Sequence, residues 1–416
     1  MSNKQAAIEI IRQLQQHGFQ ALLAGGCVRD MLLGRPAKDY DVATDALPAD
    51  VIRLFRRTLK VGAKFGVVIV LTQGEQVEVA TFRSEAGYED GRHPTEVRFT
   101  SAAEDASRRD FTINGMFYDP LEEQVLDYVS GQADLGRRII RTIGDPQERF
   151  SEDYLRILRA IRFSTQLGFA VEPGTYDAVR RNAASIARIS GERIAIELEG
   201  ILVPPNREAG VAMLIETGLA QVVFPGFAGE GADRAVAVLK HLRKKVDFPL
   251  ALAAFFAGFP TDFAGERCEI LKLSRKQNKH MEFLLAHRGR LLDSDPTRSG
   301  AAGMSLAQLK GLLAGPYFWD LYELERAMQK AAAAQEGLAA LGRLRKRIRD
   351  LGDIDVRPKP LLNGHDLMHL GAMPGPALGQ LAEELYIAQL EGEVQTKDQA
   401  EQWAQAWLRR HRSDEQ

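Results

Sequence analysis

Asp39-Tyr40-Asp41 sets two carboxylates one residue apart beside an apolar segment. In an extended strand alternate side chains share a face, so both acids are expected to point the same way. Carboxylates held that close repel unless a cation lies between them. Hard oxygen ligands of this kind suit Mg²⁺, which takes one or two carboxylates together with substrate phosphates. Upstream, the apolar run Ala21-Leu22-Leu23-Ala24 ends in Gly25-Gly26 and continues through Cys27 and Val28 to Arg29-Asp30. A glycine turn at a helix start brings backbone N–H groups close to a phosphate. Glu78, between Val77 and Val79 on a neighbouring candidate strand, offers a third acid. Downstream, Arg108-Arg109-Asp110-Phe111-Thr112-Ile113-Asn114 adds paired guanidiniums, a carboxylate and an amide. The guanidinium fork fits a phosphate or a ribose hydroxyl. These parts together describe a site for a metal-bound nucleoside triphosphate. One cation would activate an attacking hydroxyl and a second would neutralise the leaving phosphate.

A second constellation bears on base choice. In Glu152-Asp153-Tyr154-Leu155-Arg156-Ile157-Leu158-Arg159-Ala160-Ile161-Arg162-Phe163, helical spacing makes Asp153 and Arg156 i,i+3 neighbours able to meet one ligand. A carboxylate only accepts hydrogen bonds and a guanidinium only donates them. Cytosine and adenine both carry an exocyclic amine beside an unprotonated ring nitrogen, which this pair complements. Uracil and guanine present the opposite polarity, and each unsatisfied buried group costs about 1–3 kcal/mol. The pair would therefore select CTP and ATP over UTP and GTP without a nucleic-acid template. Each pattern alone has a commoner structural explanation: a surface Asp-x-Asp, a tight turn, an intrahelical ion pair. Their ordered company carries the reading.

The elements that must position these residues follow from periodicity. Up to about residue 145, helical and strand patterns alternate: short strands at Leu22–Ala24 and Tyr40–Ala43, then Val67–Leu71 and Val77–Phe82 joined at Gln73-Gly74-Glu75. The polar stretch from Arg83 to Phe99 is expected as a mobile loop. Beyond Asp145-Pro146 helical periodicity dominates, with joints at Pro204-Pro205, Pro225-Gly226 and Pro358-Lys359-Pro360. The fold class expected is an α+β N-terminal domain, a mixed sheet with helices, followed by all-α domains. With 416 residues, 45% apolar and 26% charged, the chain is a globular protein of several domains. Its longest uncharged apolar run, Phe248 to Phe259, is too short to cross a bilayer. Only Cys27 and Cys268 are present, so a reducing cytoplasm is expected. The net charge of -2 gives no global pull toward nucleic acid. Locally, basic clusters stand at Lys240/Arg243/Lys244/Lys245, Arg275/Lys276/Lys279/His280 and Arg343/Arg345/Lys346/Arg347/Arg349.

As an ordered set, Gly25-Gly26-x-Val28-Arg29-Asp30, Asp39-x-Asp41, Arg108 to Asn114 and Glu152-Asp153-x-x-Arg156 resembles the class II tRNA nucleotidyltransferases and the closely similar bacterial poly(A) polymerases. The resemblance implies a nucleotidyltransferase head over 1–145, a nucleotide-selecting helical neck over 146–200, a helical body over 201–300 and a tRNA-binding tail over 301–416. It implies that Asp39 and Asp41 hold two Mg²⁺ ions and are catalytic. It assigns Gly25, Gly26, Arg29, Arg109, Asp110, Asn114, Asp153, Arg156, Arg159 and Arg162 to the nucleotide. A flexible element with Arg83, Glu85 and Arg92 would serve the final adenosine addition, although Arg83-Ser84-Glu85 stands where the family more often has Arg-x-Asp. Asp127-Tyr128-Val129-Ser130-Gly131 resembles the family's spring between head and neck, and Ser190-Gly191-Glu192-Arg193-Ile194 its neck-stabilising segment. The tRNA acceptor arm would meet Lys244, Lys245, Arg275, Lys276, Arg343, Lys346 and Arg347. The activity implied is addition of CMP, CMP and AMP to the 3′ end of tRNA. Addition of A alone and poly(A) tailing are the rivals within the family. Gly62 to Val68 looks closer to the tRNA-specific form.

Overall fold

The computed structural model describes residues 2–60, 65–88, 94–292, 304–352 and 355–411. Arg92 of the expected loop and residues 62–64 of the Gly62–Val68 stretch lie outside the described residues. Chain contacts divide the protein into two compact units. One comprises Met1–Ala232 with Glu266–Leu273, the other Asp233–Gly265 with Ser274–Gln416.

The first unit begins with helix α1 (Asn3–Gln16), which opens on a Ser2/Gln5 capping box and buries Ala6, Ala7, Ile10, Ile11 and Leu14. There follow β1 (Ala21–Ala24), α2 (Gly26–Leu32), β2 (Asp41–Thr44), α3 (Pro48–Leu54), β3 (Thr58–Leu59), β4 (Val67–Thr72) and β5 (Glu75–Thr81). Next come β6 (Arg83–Tyr88), β7 (Pro94–Phe99), α4 (Ala102–Ser107), β8 (Phe117–Asp119), β9 (Gln124–Leu126) and α5 (Gly131–Arg137). Seven strands form one sheet in the order β3-β4-β5-β2-β1-β8-β9. Only β2 and β5 run parallel within it; the other pairs are antiparallel. The β4–β5 turn holds Gln73 at φ 52° and Gly74 at φ 85°. Two successive positive φ values make a type I′ turn, which matches the twist of a two-residue hairpin.

Two register facts place chemistry. Ala24 pairs with Asp41, so the Gly25 turn emerges beside the first residue of β2. Val42 pairs with Val79, both buried, so Asp41 and Glu78 stand next to each other on the opposite face. Gly25 itself sits at φ 74°, ψ -129°, backbone that only glycine adopts readily.

The stretch 83–99, expected as a loop, instead pairs its ends as an antiparallel ribbon, Arg83 opposite Phe99 through Tyr88 opposite Pro94. Its polarity misled the pattern reading. Main-chain bonds fix the base of the ribbon: Thr100 N–H donates to the Phe82 carbonyl, and Arg83 N–H donates to Asp105.

Past β10 (Ile139–Ile140) the elements are α6 (Pro146–Glu152), α7 (Leu155–Leu167), β11 (Ala170–Val171), α8 (Pro173–Arg181) and α9 (Gly191–Leu202). β10 and β11 form a short parallel pair. Asp145 caps α6 by accepting from the N–H groups of Gln147 and Glu148. The helix expected to run unbroken through Asp153 and Arg156 is interrupted: Asp153 is extended at φ -141°, ψ 105°, and α7 begins after it. Its carboxylate accepts from Leu155 N–H at 3.1 Å, the local competition by which Asp favours helix starts over helix interiors. In the spring-like segment, Asp127 accepts from the N–H groups of Val129, Gly131 and Gln132.

The regular elements of the second unit, among its described residues, are all helices. Phe248–Phe255 is buried at every position, as its apolar run predicts. Helix Gln335–Asp350 buries Leu341 and Leu344 and exposes Arg343, Arg345 and Lys346. Helices Gly364–His369, Pro376–Glu391 and Lys397–His411 close over Leu367, Leu381, Leu385 and Trp407. Asn363 and Asp366 form a capping box at the first of these.

No helix is long and apolar enough to cross a membrane among the described residues.

Gly191 opens α9 where a Cβ would lie 1.5 Å from the Ile270 carbonyl oxygen. Gly191→Ala should therefore lower unfolding stability by at least ~2 kcal/mol, since backbone must move to admit the methyl group. Gly136→Ala, in α5 with open space around it, should be neutral or stabilising by up to ~1 kcal/mol. Denaturant midpoints of both variants measure the contrast.

Candidate active site

A cleft of about 720 Å³ in the first unit gathers the residues assigned from sequence to metal and nucleotide. Its floor is the glycine turn Gly25-Gly26 with Arg29, the acids Asp39 and Asp41, and Glu78. Its opposite wall carries Arg109, Asp110 and Asn114, then Asp153, Arg156, Arg159 and Arg162. Asp39 precedes β2 rather than belonging to it, so the strand-alternation argument applies to Asp41 alone; both acids nonetheless face the cleft.

The floor is electrostatically unbalanced. Asp41 opens onto the cleft, yet the protein mass around its carboxyl withdraws solvation and pushes its pKa up to about 6, with help from Glu78 and Asp39 and against the pull of Arg109. A pKa raised in the folded state means that ionising Asp41 works against the fold as pH rises through 6. A cation removes that conflict. The acids present therefore fit a divalent metal: oxygen-only ligands, like-charged, and open to a substrate. Cys27 nearby is buried, which pushes its thiol up to about 11 and keeps it neutral and inert.

The wall is built the other way, each guanidinium held by a carboxylate of the protein. Buried Asp105 grips Arg108 at 2.7 Å and Arg109 at 2.9 Å. Arg109 also lies over the Phe117 ring, 4.8 Å from its centre. Asp110 receives Arg159 through Nε at 2.8 Å and Nη2 at 2.5 Å. Burial alone would raise the pKa of Asp110, but Arg159 outweighs it and holds the carboxyl below its usual range. Asn114 bridges onward, donating to Asp110 at 3.3 Å and accepting from Arg29 at 2.7 Å. Arg162 pairs with Glu197 at 2.6 Å. Arg29, Arg159 and Arg162 all face the ring of Phe163, at 5.4, 5.3 and 4.2 Å from its centre.

Asp153 and Arg156 line the same cleft from the break between α6 and α7. Their side chains do not pair with each other. Asp153 meets Arg193 of α9 at 3.3 Å. Buried Arg156 donates to Glu152 and to the carbonyls of Arg149 and Arg108, the latter two at 3.0 and 3.1 Å. Arg83 and Glu85, expected in a flexible element, lie on paired β6: Glu85 accepts from Arg83 at 2.7 Å and from Arg108 at 3.0 Å. Lys244, Lys245, Arg275, Lys276, Arg343 and Lys346 are exposed on the second unit, and Arg347 is half-buried there, donating to the Met304 carbonyl.

Sequence reasoning passed over Asp105, Phe163, Arg193 and Glu197 as site-builders. Phe163 had a local signal, four residues after Arg159 on the same helix face. Arg193 and Glu197 had none beyond the family segment, because they approach from a separate helix.

Comparison with known proteins places the chain. The family model described as "Poly A polymerase head domain" matches residues 21–141. A second, "Probable RNA and SrmB- binding site of polymerase A", matches residues 168–230. A CCA-adding enzyme from Geobacillus stearothermophilus is 35% identical, covering 97% of this chain and 96% of that one. One from Lactobacillus johnsonii is 32% identical with 95% of each covered. The crystal structure of the Bacillus stearothermophilus CCA-adding enzyme with CTP superposes with TM-score 0.80 at 32% identity, covering both chains fully. The Thermotoga maritima CCA-adding enzyme complexed with tRNA shares the fold, with TM-score 0.69 at 20% identity over 97% of this chain and 95% of that one. Mixed sheet, paired acids and arginine wall are those of a nucleotidyltransferase. The chain belongs to the family of class II tRNA nucleotidyltransferases and bacterial poly(A) polymerases.

Removing Arg159 takes from buried Asp110 the cation that is bonded to it. Arg159→Ala should destabilise the protein by about 3–5 kcal/mol. Adding Asp110→Asn should restore part of that loss, giving a coupling energy on the order of 1–3 kcal/mol in a double-mutant cycle read by chemical unfolding.

Proposed function

We propose that this protein adds CMP, CMP and AMP, from CTP and ATP, to the 3′ end of tRNA without a nucleic-acid template. The observation that carries the reading is one cleft with unmatched acids on its floor and an Asp153/Arg156 pair at its helical wall. Residues 1–145 serve as head, 146–200 as neck, 201–300 as body and 301–416 as tail.

Asp39 and Asp41 would hold two Mg²⁺ ions, with Glu78 beside Asp41 adding negative charge. Bound there, Mg²⁺ supplies charge neutralisation at the α-phosphate and lowers the pKa of the attacking 3′-hydroxyl. The chain's own groups do the rest. The Gly25-Gly26 turn lets a phosphate approach backbone N–H groups that a Cβ would screen. Arg29 and Arg109 stand beside it as fork donors to the triphosphate, and Asn114 orients Arg29. Asp110 holds Arg159 and positions it toward the nucleotide. The Asp153 carboxylate accepts from the exocyclic amine of cytosine or adenine while Arg156 donates to the ring nitrogen. Arg156 has five N–H donors and satisfies three protein acceptors, which leaves donors for the base.

Support for an RNA partner comes from the exposed basic positions of the second unit: Lys244, Lys245, Arg275, Lys276, Arg343 and Lys346, with Arg347 beside them. They suit the acceptor arm of tRNA, a duplex read by shape and backbone. Trp319, half exposed, borders a groove with Arg345, Lys346 and Arg349, a combination suited to stacking and phosphate contact. Two free, buried thiols agree with work in the cytoplasm.

Purified protein, Mg²⁺ and tRNA ending at the discriminator base, at C or at CC, offered single labelled nucleotides, test the reading. Stepwise C, C, A addition is expected. Extension by A alone on the CC-ended tRNA, or unlimited A tails on generic RNA, overturns it in favour of the family's other activities. Asp41→Ala should lower incorporation at least ~100-fold with tRNA binding largely intact. Because protons compete for Asp41 below pH 6, the Mg²⁺ concentration for half-maximal rate should rise about tenfold per pH unit in that range and stay level above pH 7. Asp153→Ala should weaken rejection of UTP by about tenfold or more, which a competition assay reads directly. Unchanged rejection would remove Asp153 from base selection.

A further inference from the structure

One strip of the sheet leads from the acids of the cleft to two exposed rings that the nucleotidyl-transfer reading leaves unused. Ala43 of β2 and Val67 of β4 pair with Ala80 of β5 from either side, and all three line the cleft with Asp41 and Glu78. Phe65, two residues before Val67, is 50% exposed. Phe99, 46% exposed, stands directly opposite Arg83 in the β6–β7 ribbon. Side chains opposite each other across an antiparallel pair leave the same face, and Arg83 is itself a cleft-lining residue. The two phenylalanines meet the same stretch of backbone. Arg83 donates to the Phe65 carbonyl, and a Cβ added to Gly66 would lie 3.0 Å from Phe99 Cε1. Thr81 N–H donates to the Gly66 carbonyl at 2.7 Å and Thr100 N–H to the Phe82 carbonyl at 3.0 Å, so the strands that carry both rings are tied to the sheet.

A single exposed apolar residue is ordinary on a protein surface. Two aromatic rings from separate strands, at the rim of a cleft built for a nucleotide, call for an occupant with a flat apolar face. The incoming nucleotide's base is assigned to Asp153 and Arg156 on the helical wall, so the rim beyond Val67 is left for the other reactant. We propose that Phe65 and Phe99 form a stacking platform for the 3′-terminal base of the RNA acceptor, holding its hydroxyl toward the Asp39/Asp41 floor. The inference rests on the proposed transfer to tRNA and deepens it. The acceptor's last base changes as the chain grows, from the discriminator base to C and then to C again. A site that read hydrogen-bonding edges would fit one of these ends and reject another. An aromatic face accepts every base, because every base has a π-face.

The test is AMP addition to tRNA ending in CC, a step shared by CCA addition and A-only addition, so its outcome does not depend on which of these the protein performs. The terminal C is compared with an abasic ribonucleotide in the same place. In the parent, loss of the base should lower kcat/KM for tRNA at least ~5-fold, with KM for ATP unchanged. The full chain carrying Phe65→Leu and Phe99→Leu keeps an apolar side chain over Gly66. It should lose at least ~5-fold on the intact tRNA and no longer distinguish it from the abasic one. Phe99→Tyr should keep the distinction, because a phenol stacks as a phenyl ring does. A parent indifferent to the terminal base, or a doubly substituted protein that discriminates as the parent does, overturns the platform. Failure to extend any tRNA overturns the transfer reading itself.

Discussion

The buried pairing of Asp110 with Arg159 is the contact on which the cleft depends. Asp110 is 8% exposed and comes from the segment between α4 and β8; Arg159 comes from α7. A carboxylate in that position is tolerable only with a cation and hydrogen bonds around it. The pair therefore ties the sheet-bearing part of the unit to the helix that carries Arg156 and Arg162. Asn114 extends the same network to Arg29 at the glycine turn. Through Asn114 the network built on this pair reaches from the wall to the floor.

The two sides of the cleft differ in how their charges are compensated. Arg108, Arg109, Arg159 and Arg162 each have a protein carboxylate. Asp39, Asp41 and Glu78 crowd one another, and Asp41 titrates high, chiefly through lost solvation and further through its acidic neighbours. Arginines already held in place lose little rotamer freedom when a triphosphate arrives, so their positioning energy is supplied by folding. The acids await a partner that arrives with the substrate. An arrangement balanced for the protein alone would have no such bias toward a metal-bound nucleotide.

The proposed base selection turns on the break at Asp153. Were α6 and α7 one continuous helix, Asp153 would spend its carboxylate on an ordinary i,i+3 pair with Arg156. The extended backbone instead turns Asp153 toward Arg193, while Glu152 and two carbonyls hold Arg156. Each member is fixed by different neighbours, which keeps acceptor and donor apart.

Residue types and short-range spacing, legible without coordinates, determined the glycine turn, the paired acids, the hairpin at Gln73-Gly74 and the change to helices after Asp145. These depend on backbone sterics and on periodicities of 2 and 3.6, which act between near neighbours. The same local information misjudged 83–99, because a polar composition says nothing about whether two distant backbone edges will pair. It also ran a helix through Asp153, since the competing capping bond and Arg193 are invisible to periodicity. Tertiary structure alone decided that Glu78 lies beside Asp41, through the parallel register of β2 and β5. It alone decided that Asp105, Phe163 and Glu197 would hold the arginines. Contacts across tens of residues follow from which faces the chain buries together, a property of the whole packed unit rather than of any segment within it.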